Sequence, residues 1–251
     1  MNIVLFDEPE ISVPLPLSDP RAQHIVTVLR KRAGDTFEAG VVNRAAGVAR
    51  IGAVTDAITF EFTPQTEGLP LYPLHMLVGF PRPIQLRRLF RDMAGLGVQE
   101  IHLAGTDLGE KSYRDSTLFE RGRAEALLRE GSAQARSVHV PRLFRHESLE
   151  AALEAAGPAT GGRFALDVPS RSPRFATAPL AEVLASEGPR PPVWAAVGSE
   201  RGWTDREREL LLGAGFRLCG LGERVLRTET ACTAAAALIL SIMTAPKNAE
   251  V

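Results

Sequence analysis

Val193-Trp194-Ala195-Ala196-Val197-Gly198-Ser199-Glu200-Arg201-Gly202-Trp203-Thr204-Asp205-Arg206-Glu207 passes from an apolar run, through a loop bounded by glycines, into a helix start. Five apolar residues in a row fit a strand buried on both faces. Thr204, with Glu207 three residues later, forms a capping box that starts a helix at Asp205. Gly215 stands where the C-terminal cap of that helix belongs. The same strand-to-helix rhythm extends in both directions. Strands are expected over Leu74–Gly79, Glu100–Ala104, Val138–Val140, Arg163–Val168, Val193–Gly198 and Phe216–Cys219. Helices are expected over Ile84–Leu96, Ser116–Ser132, Ser148–Ala156, Leu180–Glu187, Asp205–Gly213 and Glu229–Met243. This alternation predicts an α/β domain with a mostly parallel sheet covered on both faces.

Upstream the rhythm differs. Ile3–Phe6, Ile11–Leu15, Asp35–Val42, Gly47–Val54 and Ile58–Phe62 are short apolar or alternating runs separated by Pro, Gly and Asn. One helical segment interrupts them, from Ser18-Asp19-Pro20 to about Leu29, with Ser18 or Asp19 as N-cap and Pro20 in the first turn. The pattern predicts a small β-barrel. Thr63-Pro64-Gln65-Thr66-Glu67-Gly68-Leu69-Pro70 reads as a linker, which divides the chain into residues 1–69 and 70–251.

Composition bounds the function. Of 251 residues, 45% are hydrophobic and 24% charged, which excludes a wholly disordered chain. The net charge of -1 means that any nucleic-acid surface must be a local basic face balanced elsewhere. Cys219 and Cys232 are too few for a disulfide framework and fit a reducing compartment. The N-terminus lacks the pattern of a signal peptide, and no apolar stretch reaches the length of a membrane span. A cytosolic protein with no membrane partner is expected.

Two loops are placed for ligand binding, since open α/β sheets bind ligands at the carboxyl ends of their strands. Gly198-Ser199-Glu200-Arg201-Gly202 lacks the Gly-Lys-Ser/Thr ending of a phosphate loop, and Glu200 would repel phosphate. It is either a tight strand-to-helix turn or a cradle for a neutral, zwitterionic or cationic ligand. The second loop, Leu221-Gly222-Glu223-Arg224-Val225-Leu226-Arg227-Thr228-Glu229-Thr230-Ala231, places charges around a Val-Leu pair just before a long apolar helix. Part of it must pack, and buried charges need partners.

Leu221-Gly222-x-Arg224-Val225-Leu226-Arg227-x-Glu229-Thr230-Ala231 resembles the C-terminal signature of the ribosomal RNA small subunit methyltransferase E family, a SPOUT-class family. Three further stretches agree in order. His24-Ile25-Val26-Thr27-Val28-Leu29-Arg30 with Gly34-Asp35 is similar to the family's H-x-x-x-V-L-R…G-D segment. Leu96-Gly97-Val98-x-x-Ile101 is similar to its E-L-G-V-x-x-I. Ala133-Gln134-Ala135-Arg136 with Val140-Pro141 is similar to its E-Q-S-x-R…V-P. The resemblance spans nearly the whole chain. It implies a PUA-like β-barrel followed by a SPOUT α/β domain with a C-terminal trefoil knot. S-adenosylmethionine would sit in the knot of a homodimer, and the reaction would be methylation of N3 of a uridine in small-subunit (16S) rRNA. The substrate would be the rRNA or the assembled small ribosomal subunit, not DNA.

This chain departs from the family at several positions. Where the family usually has G-P-E-G-G, this chain has Gly198-Ser199-Glu200-Arg201-Gly202, so Arg201 adds bulk and charge. Gly95 replaces the Glu of E-L-G-V, and Arg88 and Arg91 stand in for the basic residues before it. Two alternatives therefore stand beside the main one: the same chemistry on another RNA site, and a catalytically weak RNA-binding ribosome assembly factor.

The resemblance also implies roles. Leu166, Val197, Gly198, Glu200, Gly202, Leu221, Gly222, Arg224, Val225 and Leu226 would bind the methyl donor. Arg227 would stabilise charge on the uracil or contact phosphate, with Glu229 holding Arg227. RNA would meet Arg21, His24, Arg30, Lys31 and Arg32, together with Arg88, Arg91 and Arg136. Arg82 and Arg87 extend the second basic cluster. His75, His102, His139 and His146 show no metal-ligand spacing with Cys or acids, and no metal is expected. Trp203 and both cysteines read as core residues.

Overall fold

The structure is a computed structural model that describes residues 2–168, 175–188 and 190–245. Its first part is a five-stranded sheet of strands β1 (Val4–Phe6), β2 (Leu15–Pro16), β3 (Thr36–Val41), β4 (Ala45–Val54) and β5 (Ala57–Thr66), in the order β1-β3-β4-β5-β2. β1 joins β3 in parallel and the other pairings are antiparallel. Irregularities at Ala46/Gly47 and Ile51/Ala53 break the β4–β5 register, and such breaks bend and twist a sheet. The curled sheet encloses Phe6, Ile25, Phe37, Ala39, Ile51 and Ile58. Of the expected strand Ile11–Leu15 only Leu15 is extended, as the start of β2, and a 3-10 turn over Glu8–Glu10 closed by a capping box lies upstream. The segment after Asp19 is helical as α1 (Pro20–Gln23) and widens to a π-helical turn over His24–Val28. Asp19 caps it by accepting from the Arg21 backbone N–H at 2.7 Å.

The second part is a seven-stranded sheet in the order β10-β12-β9-β11-β6-β7-β8, with every pairing parallel. Its strands are β6 (Tyr72–Gly79), β7 (Val98–Ala104), β8 (Arg142–His146), β9 (Gly162–Leu166), β10 (Ala178–Pro179), β11 (Val193–Val197) and β12 (Arg217–Gly220). The helices are α2 (Pro83–Gly95), α3 (Arg123–Gln134), α4 (Leu149–Ala156), α5 (Leu180–Glu187), α6 (Asp205–Gly213) and α7 (Thr228–Met243). α2, α3, α5 and α7 cover one face through Leu89, Phe90, Leu128, Leu184 and Ile239. α4 and α6 cover part of the other through Leu149, Ala152 and Leu211. The two-sided burial explains why the strands read as continuous apolar runs.

Two expectations fail locally. Val138–Val140 is not a strand. Its backbone instead meets the first sheet: the Asn43 N–H donates to Val138 O, and the Val140 N–H donates to Asn43 Oδ1. The edge strand is Arg142–His146. The expected helix Ser116–Ser132 is a 3-10 turn at Thr117–Phe119 and then α3, separated by Gly122 at φ +70°.

The chain fills β6, β7 and β8 outward in one direction, then crosses to β9, and returns to insert β11 between β9 and β6. The strand order reverses there, and such a switch opens a crevice at the carboxyl ends of the strands.

Candidate active site

The loops that follow β9, β11 and β12 meet at that crevice. They line a cleft of about 820 Å³, counting its open mouth. All ten residues expected to hold a ligand line it: Leu166, Val197, Gly198, Glu200, Gly202, Leu221, Gly222, Arg224, Val225 and Leu226. Two stretches separated by about twenty residues, with Leu166 from a third, therefore form one wall system. Ser199, Arg201, Asp167, Val168, Arg208, Thr228 and Ala231 complete it.

The Gly198–Gly202 loop is held at each point. Its turn closes when the Gly202 N–H donates to Ser199 O at 2.9 Å, and Gly202 takes φ +72°. A Cβ on Gly198 would lie 3.0 Å from the Gly202 carbonyl carbon, so only a glycine lets the two ends of the loop approach. Trp203 is core, 2% exposed, and its indole N–H donates to Leu166 O at 3.0 Å, tying the loop to β9. Glu200 Oε1 accepts the Arg82 N–H at 2.9 Å, which fixes the loop to the start of α2. Thr204 and Glu207 make the expected capping box. Glu207 is fully buried, and its other oxygen accepts the Asp107 N–H from the loop after β7.

Asp167 and Arg208 form the floor's ion pair. Arg208 Nε and Nη2 donate to the two Asp167 oxygens at 2.7 and 3.1 Å. The Asp167 side chain is 1% exposed, so this bidentate pair is largely shielded from water. The hydrogen bonds from Arg208 to Asp167 raise the Arg208 pKa further. Sequence reasoning missed both residues. The only available signal was the position of Asp167 directly after the apolar run of β9.

Arg227 and Glu229 stand differently from expectation. Arg227 is the exposed N-cap residue of α7, outside the cleft lining, while Glu229 is 4% exposed and faces inward. No ion pair joins them; Glu229 Oε2 is buried without a hydrogen-bond partner. The reason is helical spacing, since residues two apart at a helix start point to different sides.

The expected basic residues divide into two groups. Arg21 donates to both carboxylates of Glu10 and Asp19 and to Leu5 O, with its guanidinium 5.1 Å from the Phe6 ring centre. Arg21 thus holds the first sheet together. Arg91 pairs with Glu130, and Arg136 pairs with Glu38 across the two parts of the chain. Arg30, Arg32 and Arg88 are exposed, Lys31 is half-buried, and none of the four makes an ion pair among the described residues. His24 is half-buried, its Nε2 lacking a partner.

Both cysteines are buried, and burial pushes the Cys219 thiol up to about 11 and raises Cys232 as well. Neither offers a thiolate nucleophile. The histidines bring a surprise. Glu100 and His102, two apart on β7, share one face, and strand register places His75 opposite Glu100 and His146 beside His102.

Comparison with known proteins finds similarity along most of the chain. Residues 67–240 match the family described as RNA methyltransferase domain. The chain is 40% identical over 252 residues to the ribosomal RNA small subunit methyltransferase E of Treponema pallidum (strain Nichols), covering 96% of this chain and 91% of the relative. It is 27% identical to the ribosomal RNA small subunit methyltransferase E 1 of Borreliella burgdorferi, covering 98% of each. Among solved structures, a ribosomal RNA small subunit methyltransferase E from Neisseria gonorrhoeae bound to S-adenosyl methionine shares the fold. It has a TM-score of 0.75 at 21% identity, with 96% of this chain and 97% of that one covered. A methyltransferase from Legionella pneumophila in complex with the cofactor SAM gives 0.73 at 23%, covering 96% and 98%.

Proposed function

This chain belongs to the ribosomal RNA small subunit methyltransferase E family, and on that footing we propose that it methylates N3 of a uridine in small-subunit rRNA, with S-adenosylmethionine as donor. The observation that carries the reading is the convergence of the ten sequence-selected residues on one cleft at the switch point of a parallel sheet.

The cleft fits such a donor by its chemistry. Leu166, Val197, Leu221, Val225 and Leu226 offer apolar walls for a purine, and the glycine-bounded loops bring backbone groups to its edge. Glu200 supplies negative charge near a cationic ligand. When bound, the donor supplies a methyl group on a sulfonium, already activated for in-line displacement. The chain's residues position the acceptor and manage one proton. Uridine N3 must lose its proton around the time of attack. Arg227, exposed at the start of α7, meets the developing charge of the uracil or a neighbouring phosphate. Glu229, buried in the first turn of α7, is not paired with Arg227.

In this reading Arg30, Lys31, Arg32 and Arg88 carry the RNA backbone, because they make no ion pair among the described residues and phosphate contact needs available charge. Arg21, Arg91 and Arg136 order the surfaces around them. The curled first sheet acts as the PUA-like RNA-binding unit, and the β12–α7 segment forms the knot around the donor. The enzyme works as a cytoplasmic homodimer.

The test is transfer from labelled S-adenosylmethionine to small ribosomal subunits that lack the modification, read by nucleoside mass spectrometry. The expected product is 3-methyluridine. Methylation of another base would overturn the N3 assignment, and no transfer to subunits or free rRNA would favour an assembly factor.

A further inference from the structure

We propose that His75 Nδ1, Glu100 Oε2 and His102 Nε2 form a site for one divalent transition-metal ion of the zinc type, on the sheet face away from α2 and α7. One ligand atom from each of the three residues lies within 4.8 Å of the others. Glu100 Oε2 is 2.6 Å from His75 Nδ1 and 3.0 Å from His102 Nε2, so one carboxylate oxygen already sits between two imidazoles.

The donor set selects the ion. Two imidazoles and one carboxylate suit zinc and its neighbours, whereas magnesium and calcium prefer oxygen alone. Tetrahedral ligands about 2.0–2.2 Å from zinc stand roughly 3.3 Å apart. From 2.6 and 3.0 Å the carboxylate oxygen would draw back from the two imidazoles by roughly 0.7 and 0.3 Å, and the imidazole nitrogens, within 4.8 Å of each other, would close on the ion. Three protein ligands leave a fourth position for water.

The surroundings are arranged as an outer shell. His102 Nδ1 lies 3.0 Å from His146 Nε2, with the rings parallel to within 3°. That contact orients the His102 ring and leaves Nε2 for the ion. Arg142 pairs with Glu100 Oε1, which keeps Oε2 turned towards the histidines. Trp194 stacks on His75 with ring centres 4.8 Å apart. The ligand forms are neutral imidazole and ionised carboxylate. The side chains of His75, Glu100 and His102 are 12%, 10% and 5% exposed, which shields the cluster from bulk water.

Methyl transfer from an activated sulfonium needs no metal, and the cluster lies within β6 and β7 rather than at their carboxyl ends. The ion would clamp β6 to β7, two strands that carry α2 and the loop around Asp107.

The test uses the full-length chain, stripped with a chelator and titrated with Zn²⁺ and with Co²⁺. One equivalent is expected to bind, and Zn²⁺ is expected to raise the melting temperature. His75→Gln and Glu100→Gln should each weaken binding at least about 10-fold. His139→Gln, outside the cluster, should leave it unchanged. X-ray absorption of the wild-type zinc complex should show two imidazole nitrogens, and it decides the matter should a variant not fold. No stoichiometric binding, fewer than two imidazoles, or unchanged affinity in a folded His75→Gln protein would overturn the site.

Discussion

Gly202→Ala separates loop conformation from loop packing. Gly202 has φ +72°, and a Cβ there would meet nothing within 4 Å, so the substitution strains the backbone without a clash. Holding an L-residue in the left-handed region costs roughly 1–2 kcal/mol. The loop can relieve that strain by moving to negative φ, which breaks the closure between the Gly202 N–H and Ser199 O. Donor binding then has to restore the native turn. The same 1–2 kcal/mol appears as a loss of about 5–30-fold in donor affinity. Global stability of order 5–15 kcal/mol absorbs the cost, so the fold persists with Tm lower by roughly 2–8 °C. Gly213→Ala is the control: Gly213 ends α6, lacks positive φ and has open space around it. It should leave donor affinity unchanged. Isothermal titration with S-adenosylmethionine and a thermal melt read both variants. Unchanged affinity in Gly202→Ala, or an equal loss in both, would refute the reasoning.

Other consequences follow from the same structure. Asp167→Ala leaves Arg208 without its shielded partner, and losing one member of a buried pair costs about 3–5 kcal/mol; the ion pair that Arg208 keeps with Asp205 puts the expected loss of stability at or below the low end, and an undisturbed melt would contradict the pair's role. Trp203→Phe leaves Leu166 O without the indole N–H, for about 1–3 kcal/mol and weaker donor binding, both absent if the loop is held otherwise. Hydrogen bonding from Arg21 holds Glu10 and Asp19 below their ordinary values of 4.5 and 3.8. Depressed carboxylate pKa values stabilise the fold above those ordinary values, and the gain is lost as pH falls through the lowered ones. Resistance to denaturant should therefore fall on acidification less in Arg21→Met than in the parent, and identical acid sensitivity would exclude this network. Arg30→Glu with Arg32→Glu should flatten the salt dependence of RNA binding by about 0.7–0.9 per lost phosphate contact, without changing donor affinity; an unaltered slope would remove these residues from the RNA surface.

Much of the second part was legible because its chemistry is local. Val193–Val197 is apolar throughout because both sheet faces are covered, and the Thr204–Glu207 box fixes where α6 starts. The cleft residues were legible because two loop motifs each lie at a strand's carboxyl end. What was illegible depends on tertiary pairing. Val138–Val140 has strand-like residues, yet its backbone partners come from Asn43, nearly a hundred positions away. The Arg208–Asp167 pair joins residues 41 apart. The His75–Glu100–His102 cluster arises only from the register of β6 against β7. Arg21 looked like part of a basic face because one of its two carboxylate partners, Glu10, is eleven residues upstream on a separate turn, and the other, Asp19, read only as a helix cap. Arg227 and Glu229 looked like a pair by proximity in sequence, but the helix start turns one outward and the other inward.

The central claim is that the 198–202 and 221–226 loops hold the methyl donor. A crystal structure of this chain with S-adenosylhomocysteine tests it most directly. The account predicts the ligand in the cleft lined by Leu166, Gly198, Gly202, Gly222 and Leu226. Density for the ligand elsewhere, with that cleft closed or filled by the chain's own side chains, would contradict it.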